Sequence, residues 1–256
     1  MAKSFLVQQW VILMAVGSII NINATTCYSQ EKLTFESSDG VSISADLYQM
    51  HLDSAPMIIL FHQAGWSRGE YLEIAPKLNH KGFNCIAVDQ RSGNQVNNIP
   101  NQTFINARQA MKPTQYLDAL PDMEAAIKFA REKFAHGKLL IWGSSYSAAL
   151  VIKLAGDGVE VDGVLAFSPG EYFKSYGKPS DYIGSSAKNI NVPVFITSAR
   201  SEKKSWQSIY EAIPSDHKKY FVPDTSGNHG SRALWEKFYD QKAYWAEVDK
   251  FLSQFL

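Results

Sequence analysis

Met57, Ile58, Ile59, Leu60 and Phe61 follow one another without a polar residue. Successive side chains of a strand point to opposite faces, so an all-apolar strand must be covered on both. That environment is the centre of a parallel sheet lying between helices. The rest of the chain agrees. Residues 31–36 and 41–48 flank Ser38-Asp39-Gly40, an Asp-Gly hairpin pattern. Further strands are expected at 83–88, 138–142, 161–167, 193–197 and 219–222. Helices are expected at 70–80, 116–135, 146–155, 204–213 and 231–255, with Pro121 in the first regular turn of the second. Alternating units of this kind predict an α/β fold, doubly wound, with a mostly parallel sheet, helices on both faces and a leading β-hairpin. No repeat or long linker divides it.

Composition narrows the function classes. At 45% hydrophobic and 20% charged, the chain is neither a disordered tail, a collagen-like fibre nor a coiled coil. Lys plus Arg and Asp plus Glu balance at 25 each, so no net field draws nucleic acid or anionic lipid. Lys203-Lys204 and Lys218-Lys219 read as solvated faces. Cys27 and Cys85 are too few for a disulfide framework or a four-ligand zinc site, and Cys85, in an apolar run, reads as a small buried hydrophobe. No metal-ligand cluster, phosphate loop or nucleotide fingerprint is present, so no cofactor is called for. Oligomeric state is not encoded in any pattern here.

The N-terminus reads as a targeting segment. Lys3 precedes the mostly apolar run 10–20, and the chain turns polar from Asn21. The run is short of the roughly 20 apolar residues a membrane span needs but suits a signal-peptide core. Cys27 and Ser29 fit the −3 and −1 positions of a cut before Gln30, and a cut after Ala24 is the rival. Acylation at Cys27 is disfavoured because Ala24-Thr25-Thr26 matches the lipoprotein motif poorly. The expected organisation is a removed signal peptide, 1–29, then one exported domain, 30–256, in the periplasm or outside the cell.

Three strand ends carry chemistry. The sharpest is Leu139-Leu140-Ile141-Trp142-Gly143-Ser144-Ser145-Tyr146-Ser147-Ala148. An apolar strand enters Gly-Ser-Ser-Tyr-Ser and leaves into a helix of small residues. This is a nucleophile elbow, G-x-S-x-G, with Ser147 in place of the last glycine. Ser145 is the candidate nucleophile, above a helix N-terminus that favours developing negative charge. Ser144 and Ser147 are decoys on this reading, and Ser144→Ala should keep most activity. A simple serine-capped turn is the bland alternative.

The second strand end, Leu60-Phe61-His62-Gln63-Ala64-Gly65-Trp66, resembles the α/β-hydrolase family, most nearly its small dienelactone-hydrolase-like members. There a His-Gly pair after the third strand supplies an oxyanion-hole amide. The resemblance implies the backbone N–H groups of Gln63 and Tyr146 as donors, with His62 structural. Val88-Asp89-Gln90-Arg91 resembles the family's D-x-R-G stretch, which makes Asp89 and Arg91 scaffold.

The third strand end supplies the base. Among six histidines only His217 and His229 follow the elbow, as the family order Ser, acid, His requires. His229, in Ser226-Gly227-Asn228-His229-Gly230, resembles the family's G-x-H-G loop, whereas His217 reads as a surface residue. The acid usually follows the strand here placed at 193–197, where the chain reads Ser198-Ala199-Arg200-Ser201-Glu202. Glu202 is the expected acid, Asp224 the alternative, and Asp216 a distant third.

The resemblance covers the mature chain and implies a metal-free serine hydrolase working by acyl transfer on a small ester. Residues 171–191 form only a short cap, and Tyr172, Phe173, Tyr176, Tyr182, Trp66 and Trp206 are candidate rim residues. Other classes stay open. One is an inactive hydrolase-fold protein that binds a ligand. The other is a peptidase or amidase with the same triad, set second because such peptidases usually carry an additional domain ahead of it.

Overall fold

A computed structural model describes residues 30–214, 216 and 218–256. The expected signal peptide, Cys27 and His217 lie outside the described residues. The strands are β1 Gln30–Glu36, β2 Ser42–Tyr48, β3 Met57–Phe61, β4 Asn84–Val88, the short β5 Gln95–Val96 and β6 Ile99–Pro100, β7 Leu139–Ser144, β8 Gly163–Phe167, β9 Val194–Thr197 and β10 Lys218–Phe221. The helices are α1 Ile74–His80, α2 Gln102–Gln109, α3 Leu120–Lys133, α4 Tyr146–Gly156, α5 Tyr182–Ala187, α6 Lys203–Ala212 and α7 Gln241–Leu252.

Eight strands form one sheet in the order β1-β2-β4-β3-β7-β8-β9-β10. The leading hairpin is antiparallel, β2 meets β4 antiparallel, and every pairing from β4 to β10 is parallel. The all-apolar strands explain this arrangement. Met57, Ile59 and Phe61 point into one hydrophobic layer with Leu139 and Ile141, whereas Ile58 and Leu60 point into the other with Leu140 and Trp142. Burial of both faces is what a parallel strand needs from its sequence. Cys85 is buried in the second layer, where burial pushes its thiol up, as suits an inert hydrophobe. No helix among the described residues is long and apolar enough to cross a membrane.

The short β5 and β6, helix α5 and a 3-10 turn at Leu117–Ala119 ahead of α3 were not expected, and three further departures have a plain cause. The expected helix at 70–80 is a 3-10 turn, Arg68–Tyr71, followed by α1, which keeps Pro76 near its start. The expected helix at 231–255 is a 3-10 turn, Ser231–Leu234, an irregular link through an extended Trp235, then α7. Trp235 donates its indole N–H to the Glu70 carbonyl at 2.9 Å, a bond that holds the chain out of helix. Helix α2 has only Thr103 and Ala107 buried, so it carried no apolar stripe to betray it.

The strand register sets the stage for the site. Phe61 pairs with Gly143, Ser144 with Phe167, and Phe167 with Thr197. The C-terminal ends of β3, β7, β8 and β9 therefore stand side by side, where open α/β sheets bind ligands.

Candidate active site

Residue 145 sits between β7 and α4 with φ 61° and ψ −120°, a conformation that is costly for an L side chain. The turn is tight enough that a Cβ on Gly143 would fall 2.3 Å from the Ser147 carbonyl oxygen and 2.5 Å from the Ala148 nitrogen. Only glycine fits there. The serine that replaces the second elbow glycine is absorbed by the turn itself: Ser147 Oγ accepts from the Ser144 amide at 2.8 Å and lies 2.8 Å from the Phe61 carbonyl, to which it donates. The Ser145 amide donates to the Phe167 carbonyl at 2.7 Å, which fixes the elbow against β8. Tyr172 reaches the Ser145 side chain, and its own hydroxyl donates to the Ser168 carbonyl at 2.7 Å.

Glu202 and His229 meet. His229 Nδ1 is 2.6 Å from Glu202 Oε1, while Ser168 Oγ donates to Oε2 at 2.7 Å and the Ala199 amide donates to it at 3.2 Å. Burial opposes ionisation of Glu202, but the hydrogen bonds from His229 and Ser168 outweigh it and hold the carboxyl below its usual range. A carboxylate at Nδ1 keeps the proton there and leaves the lone pair on Nε2, the tautomer a general base needs. Asp224 lies elsewhere: its side chain is fully exposed and pairs with Arg200 at 3.3 Å. Asp216 is also exposed. The loop bearing His229 is tied down on both sides. The Gly230 amide donates to Ser168 Oγ at 2.8 Å, and the Ser231 amide donates to Ser144 Oγ at 2.9 Å. Gly230 has φ 69°, and a Cβ there would strike Ser144 Oγ at 2.5 Å.

The oxyanion expectation needs one correction. The Gln63 amide donates to Glu70 Oε2 at 2.8 Å, so a buried carboxylate already holds it. The next amide along, on half-buried Ala64, donates to nothing among the described residues. The Tyr146 amide, at the first position of α4, belongs to the helix's unsatisfied first turn. Glu70 itself was missed in the sequence. It is fully buried, lies seven residues beyond Gln63, and accepts from Ser144 Oγ at 2.7 Å through its other oxygen. A lone glutamate at an expected helix start gives no sign of that role.

The remaining expected residues sort by burial. His62 is fully buried, bonded through Nδ1 to the Gln63 carbonyl at 2.8 Å and accepting the Gln90 amide at Nε2. Burial lowers its pKa to about 4, so it stays neutral and braces the loop. Asp89 accepts from Arg68, and Arg91 pairs with Asp122 and Asp39. Trp66 stacks on Trp235 with centroids 5.3 Å apart, and Arg232 lies over its ring. Two of the expected rim aromatics are instead core. Phe173 is buried among Tyr172, Tyr176 and Tyr182, and Trp206 is buried with its indole N–H on Ser198. Among the described residues no cluster of His, Cys, Asp and Glu has the form of a metal site.

The sequence matches no protein-family model and no curated protein. Solved structures do resemble it. An esterase of Pyrococcus furiosus is similar at a TM-score of 0.66 and 18% identity, over 89% of this chain and 93% of that one. A dienelactone hydrolase from Anabaena variabilis is similar at a TM-score of 0.68 and 13% identity, over 89% and 98%. Dipeptidyl peptidase 4 of Porphyromonas gingivalis is similar at 0.62 and 14%, over 89% of this chain and 35% of that one.

Proposed function

We propose that this chain, which has the α/β-hydrolase fold, is a serine hydrolase that cleaves a small ester through an acyl-enzyme on Ser145. The observation that carries the reading is the 2.6 Å contact between His229 Nδ1 and Glu202 Oε1, at the C-terminal strand ends where the strained Ser145 elbow also lies.

In the first step His229 Nε2 takes the Ser145 proton as Oγ attacks the ester carbonyl, and the imidazolium that forms is stabilised by Glu202. The tetrahedral oxyanion would be held by the Tyr146 amide and, in place of Gln63, by the Ala64 amide. One such donor is worth about 2.7–4 kcal/mol of transition-state stabilisation. His229 then returns the proton to the leaving alcohol. A water deprotonated by the same nitrogen attacks the acyl carbonyl, releasing the acid and regenerating Ser145. No step uses a metal or cofactor.

Structural neighbours described as an esterase and a dienelactone hydrolase support ester chemistry. A neighbour described as a dipeptidyl peptidase keeps amide cleavage as the second reading. A fluorophosphonate probe tests the nucleophile. Wild type should be labelled and Ser145→Ala should not, whereas an unlabelled wild type would overturn the hydrolase reading. A panel of short esters and aminoacyl amides then separates esterase from peptidase.

A further inference from the structure

Glu70 is a fully buried acid with no part in the acyl-transfer steps, yet it touches all three loops of the site. Oε2 accepts the Gln63 amide of the loop after β3 at 2.8 Å. Oε1 accepts Ser144 Oγ, one residue before the nucleophile, at 2.7 Å. Ser144 Oγ in turn accepts the amide of Ser231, two residues beyond His229, at 2.9 Å. The Glu70 carbonyl accepts the Trp235 indole N–H on the same segment at 2.9 Å. One residue thus couples the loop after β3 and the elbow directly through its carboxyl, and the segment after His229 through Ser144 and its own carbonyl.

We propose that Glu70 is a positioning residue whose ionised carboxylate locks these three loops into catalytic register. This inference rests on the hydrolase reading above. As a carboxylate, Glu70 is acceptor-only, and both oxygens receive a hydrogen from a loop. Protonation puts a hydrogen on one oxygen. The Gln63 amide can only donate, so that hydrogen must face Ser144, whose own O–H then has to turn away. The elbow arm of the strut is thereby reversed. Burial is the chief influence on Glu70 and raises its pKa to about 7, against the hydrogen bonds from Ser144 and Gln63 and the field of His229 and Arg232. Tyr71 on its own turn and Tyr146 at the start of α4 are the other titratable groups that feel it, and burial pushes both phenols far up, so they stay neutral. The strut therefore switches near neutrality.

The discriminating variant is Glu70→Gln, which mimics the protonated acid at every pH. Its carboxamide oxygen accepts from Gln63 and its NH2 donates to Ser144, so the fold is kept. Hydrolysis of a p-nitrophenyl ester is measured for both proteins from pH 5 to 9, with thermal melting to verify folding. The expected result is a wild-type to Glu70→Gln ratio of kcat near one at acid pH, rising through about pH 7 to a plateau. Misplacement of about 1 Å can cost 10²-fold, so a plateau of roughly 10–10² is expected, with KM little changed because Glu70 does not touch substrate. A ratio that does not vary with pH overturns the positioning role while leaving the hydrolase reading intact. A wild type with no Ser145-dependent hydrolysis overturns the hydrolase reading, and this role with it.

Discussion

Replacing Glu202 by glutamine puts a defined error into the His229 tautomer. Oε2 of Glu202 receives the Ser168 hydroxyl and the Ala199 amide, whereas Oε1 receives only His229 Nδ1. The carboxamide oxygen of Glu202→Gln is therefore held at the Oε2 position by two donors, and its NH2 faces Nδ1. Nδ1 must then accept, so the imidazole proton moves to Nε2 and the base is lost. The corresponding change in a serine protease triad lowers kcat by about 10⁴. Four decades at 1.36 kcal/mol each are about 5 kcal/mol of transition-state stabilisation. KM should hardly move, since Glu202 acts through His229. The assay is the steady-state rate on a short p-nitrophenyl ester, with Asp224→Asn as control. Asp224 is fully exposed and pairs with surface Arg200, so its change should leave kcat within experimental scatter. A near-normal Glu202→Gln beside a crippled Asp224→Asn would refute this reasoning. The same contact has a stability signature. Because the folded Glu202 carboxyl is held below its ordinary range, its stabilising share is present above that range and is lost as pH falls through the lowered value. Wild type should therefore lose stability relative to Glu202→Gln on acidification, as urea unfolding across that range would record.

Three shorter expectations follow from the elbow and the N-terminus. Gly143→Ala forces a Cβ into the Ser147 carbonyl at 2.3 Å and should cost at least the 1–3 kcal/mol typical of overpacking, with activity lost; an active protein of unchanged Tm would contradict the geometry. Ser144→Ala deletes a buried hydroxyl that bonds both Glu70 and the Ser231 amide. It should lower stability by about 1–3 kcal/mol in urea titration and reduce kcat, unlike the silent decoy expected from sequence, and an unchanged midpoint would argue against the network. Export predicts an N-terminus at Gln30, or at Thr25 for the rival cut; N-terminal sequencing of secreted material decides, and an intact Met1 refutes cleavage.

Much of the fold was legible because each parallel strand from β3 onward to β9 is written in apolar residues that only two-sided burial explains. The chain was less readable where side chains overrule periodicity. Apolar spacing runs on through 231–255, but the Trp235 bond to Glu70 interrupts the helix. Helix α2 is polar and is anchored instead by Asn101, which caps it at the Phe104 amide. At the site, the elbow and the histidine loop stand out because their glycines answer steric needs at Gly143 and Gly230. Which backbone amides after β3 are left free was not legible, since that depends on where Glu70, seven positions beyond Gln63, places its carboxyl. Likewise Glu202 and Asp224 are equivalent letters until β9 and its following turn bring one of them to His229.

Among the described residues, the open sheet leaves β1 and β10 each bonded on one side only. Such edges invite a second copy to add its own strand, and a protein usually discourages this with charge, both along the edge and over the whole molecule. This chain carries no net charge and has a pI near 7.0, so long-range repulsion between copies is weakest close to neutral pH. Protection against self-association therefore falls on the edges themselves. β10 presents Lys219 beside exposed Tyr220, which Lys203 overhangs at 4.9 Å, while the Lys218 ammonium turns back to the Tyr210 carbonyl at 2.9 Å, and β1 presents Glu31, Lys32 and Glu36. Neutralising Lys219, by acetylation or by substitution with a β-branched residue, would remove the local barrier where no global one exists, and colloidal stability rather than catalysis is the property that would suffer.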